Sequence, residues 1–178
     1  MNRLISMLAA CCIAATAFGA KMSKSVPKGW SEDFAAAQER AGKEGKLILL
    51  AFSGSDWCGW CVKMEKDIYS NKKFLKKAGE DYVLVMIDSP RNKDILSKLA
   101  KKQNPELVRK YGIRGYPSTI VVRPDGEEVR RFGGYQGDGV EAFLAQLGDV
   151  AAKSRQAKGA AKDASAEKPA DSKSAPQK

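Results

Sequence analysis

The chain of 178 residues contains no histidine. That absence removes serine–histidine and cysteine–histidine nucleophile pairs, and every zinc site that draws on imidazole. Cysteine is scarce: four residues, in two pairs, Cys11 with Cys12 and Cys58 with Cys61. Acidic side chains are in the minority, 21 against 31 Lys and Arg, for a formal net charge of +10. Such a charge makes nucleic acid, a membrane surface or an anionic cell wall candidate neighbours and says nothing about fold. Aromatic residues are missing from Ser154 onward, where Lys, Ala, Ser and Pro dominate. A stretch of that composition has too little apolar surface to offset its ordering entropy, so residues 154–178 are expected to be disordered.

The N-terminus reads as an export signal. MNR supplies a positive charge, LISMLAACCIAATAFGA is apolar or small through Ala20, and the chain turns polar at Lys21. That is the order of charged, apolar and small-residue regions of a signal peptide over residues 1–20. Ala15-Thr16-Ala17 and Ala17-Phe18-Gly19 both satisfy the small-x-small rule for cleavage. A retained membrane anchor is a weaker reading, because the stretch is about the minimum length for a span. LAAC, residues 8–11, is also similar to a lipobox, which would make Cys11 a lipidated first residue; that ranks second. After simple cleavage Cys58 and Cys61 are the only cysteines left, and the chain works outside the cytoplasm, in the periplasm, under oxidising conditions.

The length suits one domain with a core of its own. Residues 21–29 form a polar lead-in. Ser31 can cap a helix that has Glu32 and Asp33 in its first turn, carries Phe34, Ala37 and Ala41 on one face, and ends near Gly42 and Gly45. KLILLAFSG, residues 46–54, is a continuous apolar run suited to a strand buried on both faces, and YVLVMID, residues 82–88, is a second. Between them CVKMEKDIYSNKKFLKKAGED reads as helix with a break near Ser70-Asn71. ILSKLAKKQ predicts a short helix, and Pro105 the first residue of another. STIVVRP and EEVRRFG are strands joined by a hairpin at Asp125-Gly126. A final helix places Val140, Phe143, Leu144 and Leu147 on one stripe. The order predicts an α/β sandwich with a mixed central sheet.

WCGWC, residues 57–61, carries the chemistry. A structural zinc needs four ligands, and export leaves two cysteines. Covalent haem needs a histidine after the second cysteine, where Val62 stands. A structural disulfide across a two-residue spacer closes too small a loop to restrain the unfolded chain much. A redox pair explains position as well as spacing. A buried strand leads into the motif and a helix follows it, so Cys58 lies at a helix N-terminus, where unpaired N–H groups and the macrodipole favour a thiolate. Cys61 is one turn on and can attack a mixed disulfide formed at Cys58.

These residues resemble the thioredoxin superfamily. WCGWC matches its W-C-x-x-C, and NPELVRKYGIRGYPS, residues 104–118, resembles the stretch that leads to its cis-proline, here Pro117. The likeness covers residues 30–150 and implies a thioredoxin fold, with a mixed central β-sheet flanked by helices. FSGSDWCGWCVKME is more similar to exported thioredoxin-like proteins and to the C-terminal domain of DsbD than to cytosolic thioredoxin. One departure stands out. The family's buried Asp, six positions before the first cysteine, is Phe52 here. Its Lys partner on the next strand falls at Leu84 or Val85. Asp56 and Glu65 are the nearby carboxylates, each more simply read as a solvated charge.

The resemblance implies an exported thiol-disulfide oxidoreductase that needs no cofactor or metal. Cys58 is the nucleophile and Cys61 the resolving thiol. Trp57 packs beside the motif, and Gly59 and Trp60 form the loop between the cysteines. Trp60 either contacts an incoming polypeptide or lies half-buried against Tyr116. Tyr116 and Pro117 present backbone to an extended substrate. Gly59-Trp60 places no charge between the cysteines, which favours reductase or isomerase over oxidase. The partners implied are disulfide-containing proteins and a dithiol donor such as a membrane reductant-transfer protein, with membrane or cell-wall association through lipidation or the basic tail. Nucleic acid is excluded by export and by the lack of groove-filling aromatics. The competing reading is a non-enzymatic module that binds unfolded or partner chains through Trp60 and the proline face.

Overall fold

Strand β1, Leu47–Ser53, is buried at all seven positions, as a continuous apolar run between polar flanks requires. Its side chains alternate between two cores. Leu47, Leu49 and Ala51 pack with Met64, Ile68, Phe74, Phe143 and Leu147; Ile48, Leu50 and Phe52 pack with Phe34, Ala41, Leu107 and Tyr111. Strand β2, Tyr82–Asp88, is likewise fully buried and runs parallel to β1. Strands β3, Ser118–Val122, and β4, Glu128–Gly133, complete a four-stranded sheet in the order β2-β1-β3-β4. β3 is antiparallel to both neighbours, so the sheet is mixed. The β3–β4 hairpin turns at Asp125-Gly126, with Gly126 at φ 87°. This computed structural model describes residues 23–166, with side chains through residue 158. The expected signal segment, with Cys11 and Cys12, and residues 167–178 lie outside the described residues.

Helix α1, Phe34–Glu44, begins later than the sequence predicts and ends at Gly45, the second of the two expected stops. Asp33, not Ser31, is its cap, accepting from Ala36 N–H at 2.9 Å. Ser31 is occupied at the sheet edge: its N–H donates to Leu84 O (2.9 Å) and its carbonyl accepts from Met86 N–H (2.8 Å). Gly42 continues the helix, and Gly45, at φ 67°, closes it. α2, Gly59–Met64, passes into a π-helical turn at Glu65–Tyr69, and Asn71 then caps α3, Lys72–Asp81, at the expected break. After a 3₁₀ turn at Lys93–Ile95, α4 is one helix, Lys98–Lys110, where the sequence predicts two. Pro105 lies inside it. One missing N–H is tolerated there because the flanking residues are anchored: Asn104 Nδ2 donates to Asp88 O at 2.8 Å, and Leu107 sits in the core.

Helix α5, Gly139–Ala166, presents the predicted stripe, with Phe143 and Leu147 buried and Val140 and Leu144 partly so. It continues through residues 154–166, which the composition predicts as disordered. Alanine and lysine are also strong helix formers, and an existing helix extends at little cost. The lead-in is packed too. Glu32, expected in a solvated first turn, is buried and accepts from the backbone N–H and the hydroxyl of Ser23. Ser23 Oγ accepts from Ser97 N–H at 2.9 Å, and Lys24 N–H donates to Ile95 O at 2.9 Å. Residues 23–29 thus form a strap pinned beside the loops that follow β2.

Candidate redox site

The motif sits where β1 ends. Gly54 O accepts from the N–H groups of Trp57 (3.2 Å) and Cys58 (2.9 Å), which turns the chain sharply. A Cβ on Gly54 would overlap the Trp57 indole, so that ring lies directly on the turn. Cys58 is the N-cap of α2: its Sγ accepts from Cys61 N–H at 3.2 Å. One helix-terminal donor, of the kind that favours a thiolate, is therefore aimed at the Cys58 sulfur. Cys58 and Cys61 are joined as a disulfide, with Cα atoms 5.2 Å apart. Cys58 is 8% exposed and Cys61 1%, so Cys58 is the more exposed of the pair.

Pro117 is buried, follows a cis Tyr116–Pro117 peptide, and its carbonyl accepts from Gly134 N–H at 2.9 Å. Trp57, 40% exposed, donates from Nε1 to Ser89 O at 2.9 Å and meets the Tyr116 ring edge-on at 5.4 Å. Tyr116 Oη bonds Ser89 Oγ at 3.2 Å. The aromatic neighbour of Tyr116 is thus Trp57; half-burial of Trp60 against Tyr116 is not the arrangement. Trp60 is 56% exposed and Val62 51% exposed, an apolar pair at the start of the motif helix. Gly59 is exposed, with open space where a side chain would be.

Phe52 is fully enclosed, and its neighbours in register are Ile87 on β2 and Ser118 on β3. The residue facing Phe52 on β2 is therefore Ile87; Leu84 and Val85 pair with Leu49 and Leu50, three and two residues earlier on β1. The site that holds a charged pair elsewhere in the superfamily has Phe52 and Ile87 facing each other instead. A different carboxylate, which the sequence reading passed over, lies close by. Asp88, 2% exposed, accepts from Ser55 N–H (2.9 Å) and Ser55 Oγ (2.6 Å). The available signal was an acidic residue closing a wholly apolar strand, YVLVMID.

The two carboxylates flagged from sequence have different fates. Asp56 is exposed and accepts from the N–H groups of Arg91 and Asn92, both at 2.8 Å. Those bonds, Asn92's first, hold its carboxyl below the usual range. Glu65 is partly buried rather than solvated, and burial, then the charge of Asp88, pushes its carboxyl up. For Asp56 the sign is that of a depressed acid: its contribution is present above the unfolded value and disappears as pH falls through the folded one. The amide resonances of Arg91 and Asn92 are expected to titrate together below the ordinary aspartate range. Amides that stay fixed across that range, as followed by ¹H–¹⁵N spectra, would contradict the clamp.

Residues 34–151 match the sequence profile of the thioredoxin-like domain. The chain belongs to this family. It is 32% identical over 116 residues to the disulfide bond reductase DsbH of Chlamydia pneumoniae, which covers 65% of this chain and 69% of that protein. The solved DsbH oxidoreductase superposes with a TM-score of 0.62 at 26% identity, over 75% of this chain and 94% of the other. The oxidised C-terminal domain of DsbD from Neisseria meningitidis has a TM-score of 0.48 at 19% identity, over 67% and 97% of the two chains. The chain is therefore a thioredoxin-like oxidoreductase related to a disulfide reductase, with Cys58 and Cys61 as its C-x-x-C pair.

Proposed function

We propose that this thioredoxin-like protein acts outside the cytoplasm, in the periplasm, where it reduces or isomerises disulfides in other proteins. The observation that carries the reading is Cys58, capping a helix, the more exposed of the pair and bonded to the enclosed Cys61. In the reduced form, Cys58 thiolate attacks a substrate disulfide. One substrate sulfur bonds to Cys58 and the other leaves as a thiolate. Cys61 then attacks Cys58, expels the second substrate sulfur, and restores the Cys58–Cys61 bond. Two electrons pass to the substrate, and a dithiol donor, such as a membrane reductant-transfer protein, returns them. The uncharged Gly59-Trp60 spacer supports the reducing direction, because no neighbouring charge makes Cys58 an unusually good leaving group. The name of the Chlamydia relative agrees with that direction.

Trp60, Tyr116 and Pro117 would meet the substrate chain, with Trp57 and Gly59 shaping the face. A second reading, a non-enzymatic module for partner polypeptides, draws on the exposure of Trp60 and Val62. One experiment separates the two. The chain, fully reduced and freed of reductant, is mixed with a disulfide-bonded protein. Close to one substrate disulfide should open per chain as Cys58–Cys61 forms, read by thiol alkylation and mass spectrometry. A chain that binds the substrate while both thiols stay reduced would overturn the oxidoreductase reading.

A further inference from the structure

The strap at residues 23–29 precedes the part of the chain that matches the thioredoxin-like profile, which begins at residue 34. It nevertheless reaches the redox end of the sheet. Between the strap and the motif helix lies an open groove of about 630 Å³. Its apolar wall is Val26, Pro27, Val62 and Ile95. Ser55 and Asp56, just ahead of Cys58, also line it, and Val62 directly follows Cys61, so the groove begins within a few residues of the disulfide on both sides. It lies toward β2: the strap leads to Ser31, which bridges Val85 on β2, and Ile95 follows that strand. Pro117 precedes β3, which pairs with β1 on the edge opposite β2. The groove is therefore a second surface beside the motif, apart from the proline face.

The rim is basic. Lys24 and Lys66 line the groove, and Lys28 follows Pro27. All three are exposed and without an ion-pair partner among the described residues; the pair on the motif helix belongs to Lys63 and Asp67. Arg91 and Lys93, on the loop after β2, are exposed and unpaired in the same way. Two carboxylates oppose them. Asp56 accepts from the Asn92 and Arg91 N–H groups, and the Arg91 charge lies near it. Glu65 is partly buried, which disfavours its charged form. The balance around the groove is positive. Ser25 Oγ, enclosed in the wall, is the one buried side-chain oxygen or nitrogen among the described residues with no hydrogen-bond partner. A χ1 turn would offer it to a main-chain carbonyl in the groove.

We propose that the groove docks an acidic, extended segment of a protein substrate, next in sequence to the disulfide that Cys58 attacks. Lys24 and Lys66 meet its carboxylates, Val62 and Ile95 its apolar side chains, and Ser25 its backbone. This rests on the oxidoreductase reading and deepens it by naming a substrate class. Charges at such a rim act mainly on the rate of encounter and lose their effect as salt rises.

The test uses the reduced chain, freed of reductant, and a set of synthetic peptides that share one internal disulfide and differ only in the residues flanking it: Glu, Gln or Lys. Timed alkylation and mass spectrometry read the initial rate of peptide reduction. At low salt the Glu peptide should react about tenfold faster than the Gln peptide, the lower end of electrostatic steering, and the Lys peptide more slowly than both. The preference should fade at about 0.5 M salt, where charges are screened within a few ångströms. The double variant Lys24→Gln/Lys66→Gln should cut the Glu-to-Gln ratio to about twofold. Lys153→Gln/Lys158→Gln removes the same charge from exposed sites on α5, and should keep the ratio. A ratio near one in the unsubstituted chain, an unchanged ratio in Lys24→Gln/Lys66→Gln, or an equal loss in Lys153→Gln/Lys158→Gln overturns the proposal. So does sedimentation with phosphatidylglycerol vesicles that depends on Lys24 and Lys66 while the peptides react alike, which would assign the rim to a lipid surface. A chain that reduces none of the peptides overturns the oxidoreductase reading itself.

Discussion

Phe52→Asp, which restores the acidic residue common in the superfamily, should destabilise this protein severely. Phe52 is 1% exposed, lies edge-on to Tyr111 at 6.2 Å, and belongs to the cluster built from Phe34, Ile87, Leu107 and Ile120. Truncating a buried phenylalanine alone costs roughly 3–5 kcal/mol. The new carboxylate adds the cost of an unpaired buried charge, because its register neighbours are Ile87 and Ser118 and neither is a cation. A domain of this size has a net stability of about 5–15 kcal/mol, so the variant should lose a third or more of it. Urea unfolding followed by tryptophan fluorescence measures this directly. A variant with an unshifted midpoint would show that position 52 is hydrated, and the apolar account of the site would be wrong.

The second large effect is an asymmetry between the cysteines. Cys58→Ser should abolish disulfide reduction and form no covalent adduct, since the remaining Cys61 is 1% exposed. Cys61→Ser should abolish turnover just as completely but accumulate mixed disulfides through Cys58, because nothing remains to resolve them. Non-reducing gels and mass spectrometry of each variant, incubated with a disulfide-bonded protein, read the two outcomes. Adducts on Cys61 in the Cys58→Ser chain, or none on Cys58 in the Cys61→Ser chain, would reverse or remove the assigned roles. Activity that survives Cys58→Ser would favour the binding-module reading.

Most of the architecture was legible because its signals are local. The apolar runs of β1 and β2 have no polar face, so they had to be strands covered on both faces. Asp125-Gly126 allows little but a tight turn between two strands. The redox motif was recognisable from a strand before it and a helix after it. What escaped depends on partners far along the chain. Ser31 looks like a cap until Leu84 and Met86 claim its backbone. The break predicted at Pro105 fails because Asn104 is held by the carbonyl of Asp88, sixteen residues away. Asp88 shows its relevance only when β2 lies beside β1 and brings its carboxylate to Ser55. Trp57 and Tyr116 are separated by more than fifty residues and meet over Ser89. The π-helical turn at Glu65–Tyr69 has no composition that marks it.

The strap at residues 23–29 has a practical bearing on how the molecule can be tethered. Ser23 is fixed against Ser97, and Lys24 against Ile95, on the groove that also holds Ser55 and Val62. Any anchor, label or fused domain placed ahead of Ser23 therefore enters at the disulfide's end of the sheet. α5 departs at the other end, where Arg155 bridges Asp81 at 2.5 Å and the helix borders Lys46 and Leu47. The seven residues of β1 separate the two ends by about 20 Å. A surface-immobilised form held from its C-terminal side would turn Cys58 and Trp60 outward, whereas one held from its N-terminal side would turn them toward the support.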